Sequence, residues 1–180
     1  MAEPQLPPPA TLFVALLHAP VNPDPCIEEL TARFGPAGPM SSPYPMNRFS
    51  TYYEAEMGPD LTKRFIAFAR PLAMDQLADC KLAATAVEKR LQRRPGRRVF
   101  NVDPGLVTSY NVVLATFKNH AHRIYLRDGV FAEITLIFRE GKFHPLPWTY
   151  PDYQAPQALD FFHQLRTAGK DRGHAPGMSP

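Results

Sequence analysis

A chain of 180 residues, 44% hydrophobic and 21% charged, is long enough for one domain with a substantial core. Its net charge of +3 is too mild for a general nucleic-acid binder, and no run of about 18 apolar residues is present to span a membrane. The first ten residues contain four prolines and no basic stretch before an apolar run, so they are not a secretory signal and a cytoplasmic location is expected.

Residues 1–10 are expected to be a disordered tail. Thr11 to Ala19 then reads as a strand buried on both faces. Asp24 and Pro25 open a helix carrying Ile27, Leu30 and Phe34 at helical spacing, and Gly35 stops it. The segment 36–47 holds four prolines and reads as a stiff loop. Asn47 to Met57 is rich in aromatic and β-branched residues and predicts a strand, with Thr62 to Arg70 as its hairpin partner. Met74 to Gln92 is the clearest helix, with Leu77, Cys80, Ala84, Val87 and Leu91 along one side. Cys26 and Cys80 each fall on an apolar helix face, far apart in the chain, and read as free buried thiols.

Arg97 to Val102 reads as a strand and Asp103-Pro104-Gly105 as a turn. Leu106, Tyr110, Val113, Leu114 and Phe117 fall at a helical period, which predicts a short helix. Two hairpins follow, turning at Asp128-Gly129 and Glu140-Gly141. Pro156 to Leu165 suits a last helix, and 168–180 a second loose tail. The order β-α-β-β-α-β over residues 11–103 is that of a ferredoxin-like sandwich, so the chain is expected to be one α+β domain over residues 11–167. Its sheet would be mostly antiparallel, with a C-terminal β-meander.

Several groups could carry chemistry. With two-residue turns, Ile124 pairs with Glu133 and Ile137 with His144. That puts His122, Glu133 and His144 on one face of the meander, and Arg123 and Tyr125 on the other. His122 and Glu133 suit either a structural hydrogen bond or an acid–base pair. A metal shared with His120 and His144 is disfavoured, because the histidines are separated by strand spacings of about 4.8 Å each. Asp103 either caps its own turn or supplies a carboxylate to a cation or hydroxyl. Glu54 and Glu56, one strand step apart, could hold a divalent metal, or form a solvated acidic face or a pair with Lys63 and Arg64 across the hairpin. Lys89, Arg90, Arg93, Arg94, Arg97 and Arg98 make six basic residues in ten. The helix C-terminus accounts for Lys89 to Arg93, while Arg94, Arg97 and Arg98 either form a solvated loop or grip phosphate, from a nucleotide or from RNA. Trp148-Thr149-Tyr150-Pro151-Asp152-Tyr153 suits stacking on a planar ligand or closing the core. No phosphate-binding Gly-x-x-x-x-Gly-Lys-[Ser/Thr] loop occurs.

Five motifs, in order, carry a resemblance. They are Tyr52-Tyr53-Glu54 with Glu56-Met57-Gly58, Asn101-Val102-Asp103-Pro104-Gly105, His122-Arg123-Ile124-Tyr125-Leu126, Glu133-Ile134-Thr135-Leu136 and Trp148 to Tyr153. Over Leu12 to Tyr153 the chain resembles a prokaryotic domain-of-unknown-function family, number 4416, whose members often carry the label "GTP-binding protein". The resemblance implies that Glu54, Glu56, Asp103, His122, Arg123, Glu133 and Asp152 stand at motif positions. A nucleotide would have to bind without a phosphate loop.

Two functions are expected. In the first, the chain binds or acts on a phosphorylated or nucleotide-like small molecule. His122, Glu133 and Asp103 would do the chemistry, while Arg123, Arg97, Arg98, Tyr125, Trp148 and Asp152 would hold the ligand. In the second, it is a protein- or RNA-interaction module that uses the basic 89–98 loop and the aromatic 148–153 segment.

Overall fold

The computed structural model describes residues 3–171, so parts of both expected tails lie outside the described residues. Strand β1 (Ala10–His18) is buried along its whole length. Helix α1 (Asp24–Phe34) buries Cys26, Leu30 and Phe34. Asp24 stands in its first turn and does not cap it. Strands β2 (Ala37–Met40) and β3 (Tyr44–Pro45), a 3-10 turn at Met46–Arg48 and the helical turn α2 (Glu54–Met57) follow. Then come β4 (Thr62–Leu72), α3 (Leu77–Leu91), β5 (Phe100–Val107) and β6 (Asn111–Thr116). The meander is β7 (Ile124–Arg127), β8 (Val130–Arg139) and β9 (Lys142–Pro145). A 3-10 turn at Pro151–Gln154 leads into α4 (Pro156–Asp171), which outruns its expected end at Leu165.

The fold is α+β, around a nine-stranded antiparallel sheet in the order β2-β4-β1-β5-β6-β8-β7. β3 lies beside β4, and β9 beside β8. The succession β1-α1-β2-β4-α3-β5 gives the spatial order β2-β4-β1-β5, which is the ferredoxin-like arrangement. β1 is buried because it is central and covered on both faces. One face carries Leu12, Val14 and Leu16 against α1 and α3. The other carries Phe13 and Ala15 against Phe161, Phe162 and Leu165 of α4. Cys26 and Cys80 are free and buried, and burial pushes their thiols up to about 12 and about 11.

Four local expectations are corrected. The second strand is Ala37–Met40, inside the proline-rich loop, while 47–57 forms the 3-10 and helical turns. β2 closes one edge of the sheet, where a proline's missing N–H leaves no ladder bond broken. Asp103-Pro104-Gly105 is no turn, because β5 runs through it and pairs residue for residue with β1. Gly105 serves close packing: a Cβ there would lie 2.4 Å from the Phe13 ring and from the Val113 carbonyl oxygen. The helix expected at 106–117 is a hairpin between β5 and β6. Val107, Val112 and Val113 favour strands, and the Thr108 hydroxyl accepts from the N–H groups of Tyr110 and Asn111, both at 3.0 Å, to fix the turn.

The meander turns are as expected, with positive φ at Asp128, Gly129, Glu140 and Gly141. Ile137 pairs with His144 and Phe138 with Phe143 as the turn rule requires. In the first hairpin a bulge at Leu126 moves the register, so Ile124 meets Ala132 and not Glu133.

Candidate functional site

Strands β5 and β6 are paired only at Gly105–Leu114, Leu106–Val113 and Val107–Val112. Beyond Gly105, β5 continues back to Phe100 beside β1, while β6 runs on to Thr116 beside β8. The two strands part, and the sheet opens into a wedge. Val102 lies on the β5 edge left without a strand there. Its N–H donates to Glu88 Oε1 at 2.6 Å, and its carbonyl accepts from Lys81 Nζ at 3.2 Å. Two side chains of α3 thus stand in for the missing strand, which answers the cost of unsatisfied buried backbone.

A cavity of about 510 Å³ occupies this wedge, within the size range of small-molecule sites. Its charged groups come from several elements. Phe65 and Asp103 both pair with Ala15, so they share a face of the sheet, and Lys63 and Asn101 stand two residues before them on that same face. Asp103 Oδ1 accepts from Lys81 Nζ at 2.7 Å, and Oδ2 accepts from Asn101 Nδ2 at 2.6 Å. Burial pushes the Asp103 carboxyl up, but Lys81, Asn101 and the nearby Lys63 outweigh it and hold it below its ordinary value. Asp152, brought in by the 3-10 turn, accepts from Lys63 Nζ and from the Tyr44 hydroxyl. Burial first, then Asp152, raises Tyr44, so it stays a neutral donor. Lys63 Nζ also lies 4.6 Å from the centre of the Tyr153 ring.

The walls and rim are aromatic and cationic. Tyr52, Tyr53, Phe117 and Tyr150 line the cavity with Arg98, Glu56 and Lys118. Tyr52 and Phe117 are exposed. Arg98 grips Glu56 with two parallel bonds of 2.6 and 2.8 Å, and its remaining nitrogen reaches Asn101 at 2.9 Å and Glu88 at 3.3 Å. Its fork is therefore engaged by protein carboxylates. The bond from Arg98 keeps Glu56 below its ordinary range, while burial raises Glu88.

A second polar cluster lies along the meander. Glu133, buried in β8, accepts from Arg123 Nε at 2.6 Å and lies 3.1 Å from His122 Nε2. Arg123 also donates to the Lys118 carbonyl at 2.8 Å and to the Tyr150 hydroxyl at 3.1 Å. His122 and Arg123 therefore meet at one carboxylate and do not point to opposite faces. The His122 ring stacks on Trp148 at 4.9 Å and on His120 at 6.0 Å, and Trp148 donates to the Ile134 carbonyl at 2.8 Å. Glu133, His122, Arg123, His120 and Trp148 do not line the cavity, but Lys118 and Tyr150 belong to both regions.

Of the residues singled out in the sequence, the wedge brings together Asp103, Arg98, Asp152 and Glu56. Arg97 is exposed on the turn after α3, Tyr125 is exposed on β7 beside Phe131, and Glu54 lies on α2; none of them lines the cavity. Among the described residues no group of three His, Cys, Asp or Glu side chains is placed to hold a metal ion. Lys81 and Glu88 do not stand out as site residues in the sequence, and Lys63 does so only as a partner for Glu54 and Glu56, although each left a signal. Leu77, Lys81, Ala84, Glu88 and Leu91 alternate steps of four and three along the apolar stripe of α3, so two charges stand where core residues belong. Lys63 shares the apolar face of β4 with Phe65 and Ala67.

No helix among the described residues is long and apolar enough to cross a membrane. No curated protein and no solved structure matches the chain. The model of one family, a domain of unknown function (DUF4416), matches residues 8–168, and the chain belongs to that family.

Proposed function

We propose that the wedge between β5 and β6 is a binding site for a small phosphorylated molecule with a planar ring, of the size of a nucleoside monophosphate. One observation carries this reading. Where the sheet opens, charged side chains from β4, α3, β5 and the Pro151–Gln154 turn converge on a cavity of about 510 Å³ whose rim is aromatic. Taking charges out of water costs several kcal/mol per ion, and even close pairing often only offsets that cost, so such a cluster is expensive as mere packing. Tyr52 and Phe117 supply exposed faces for a ring, and the Asp103 carboxylate, 27% exposed, can accept from a hydroxyl. In this reading Arg123 and Glu133 hold the loop that carries Lys118 and the ring of Tyr150. Calorimetric titration with AMP and with ribose 5-phosphate tests the reading. Saturable binding that weakens at least tenfold in Asp103→Asn is expected, and failure of both compounds to bind overturns it.

A second reading has its own observation. Arg93, Arg94 and Arg97 are exposed around the turn after α3 and meet no carboxylate among the described residues. They suit an RNA- or protein-binding loop. Titration of single-stranded RNA at low salt tests this: binding that falls steeply with salt and is lost in the triple Arg→Gln variant supports it, and no binding removes it.

A further inference from the structure

We propose that Lys118 is the residue that binds the ligand's phosphoryl group, and that the ligand's neutral, hydroxylated end faces Asp103 on the cavity floor; this rests on the reading of the wedge as a small-molecule site. Four cationic side chains line the cavity. Lys63 is paired with Asp152, Lys81 with Asp103, and Arg98 with both Glu56 and Glu88. Lys118 meets no carboxylate among the described residues. Its Nζ lies 3.3 Å from the Tyr52 hydroxyl and 4.6 Å from the centre of that ring.

The floor is neutral, since two lysines and two aspartates balance there. A phosphoryl dianion pressed against it would confront two carboxylates while its attraction to the lysines was shared with them, and it would lose its water as well. At the rim the same dianion meets a cation with no competing carboxylate and keeps part of its hydration. The floor offers what a hydroxyl needs, because Asp103 is an acceptor-only group whose two oxygens are already oriented by Lys81 and Asn101. Lys118 is also held in place for the task. Its N–H donates to Thr116 Oγ1 at 3.2 Å, and its carbonyl is gripped by Arg123. The ribose of such a ligand would connect the two ends, and its base would lie against the exposed faces of Tyr52 and Phe117.

AMP and adenosine, titrated into the full-length protein, test this orientation. With Lys118→Gln, AMP affinity is expected to fall about tenfold, the range for a hydrogen bond to a charged group, while adenosine affinity stays unchanged. Lys118→Arg is expected to restore AMP binding, and the salt dependence of AMP binding is expected to flatten in Lys118→Gln. An equal loss for both compounds, or no loss for either, overturns the orientation and leaves the cavity as a site. Failure of the wild-type protein to bind either compound overturns the site and the orientation together.

Discussion

Two polar clusters stand side by side in this molecule, and they solve different problems. In the meander, Glu133 is fully buried and spends its charge on Arg123 and His122, while Arg123 in turn ties down the Lys118 carbonyl and the Tyr150 hydroxyl. Every partner belongs to the protein, and the product is a fixed loop. In the wedge, Lys63, Lys81, Asp103 and Asp152 are paired as well, but they surround empty space with aromatic rings at its mouth. Density of charge is thus a poor guide to a binding site by itself. What distinguishes the wedge is that its charges are assembled where the backbone ladder stops.

The contrast can be broken by substitution. The largest effect is expected from Arg123→Met, which strands the Glu133 carboxylate in the core. A loss of about 3–5 kcal/mol in urea unfolding is expected. Lys81→Met is expected to cost about 2 kcal/mol, because it removes a charged hydrogen bond from a partly exposed Asp103 and a donor from the Val102 carbonyl. His122→Gln is expected to cost less than about 1 kcal/mol, since Glu133 keeps Arg123, and to leave ligand binding as it was.

Acid probes the wedge more gently. Asp103 and Glu56 lie below their ordinary values of 3.8 and 4.5. A carboxyl lowered in the folded state contributes stability that is complete above its unfolded value and is lost as pH falls through its folded value. Glu88 is raised, so the folded state takes its proton first, and the relative stability it gains is complete by the time pH falls to its unfolded value of 4.5. Denaturation midpoints are therefore expected to fall below about pH 4. The acid limb should be shallower in Asp103→Asn, while Glu88→Gln should remove a gain in stability as pH falls towards 4.5 and leave the limb below about pH 4 as it was.

The sequence made much of the frame legible. The ferredoxin-like order followed from the long apolar β1, the stripe of α3 and the proline and glycine stops. The two meander turns followed from Asp128-Gly129 and Glu140-Gly141. The errors share a cause, namely that tertiary context overrode a local pattern. Leu106 to Phe117 has helical spacing, yet β-branched residues and the Thr108 turn made it a hairpin. The bulge at Leu126 moved one register without any local mark. The candidate site was half visible. Asp103, Asp152 and Glu56 stand out singly, from motif positions, and Arg98 from a basic run, and nothing local says that they converge. Lys81 and Glu88 are hidden because they sit inside the apolar stripe of α3, and Lys63 because it shares the apolar face of β4, where charges are easily passed over as noise. In physical terms a charge at such a position must meet a partner, and that rule would have found the wedge.

Native mass spectrometry of gently purified protein tests the central claim most directly, because it asks the two clusters the same question. A small-molecule adduct is expected on the wild-type chain and on His122→Gln, and it should be lost or strongly reduced on Asp103→Asn. An adduct carried equally by all three, one lost only on His122→Gln, or none on the wild type would contradict the assignment of ligand binding to the wedge.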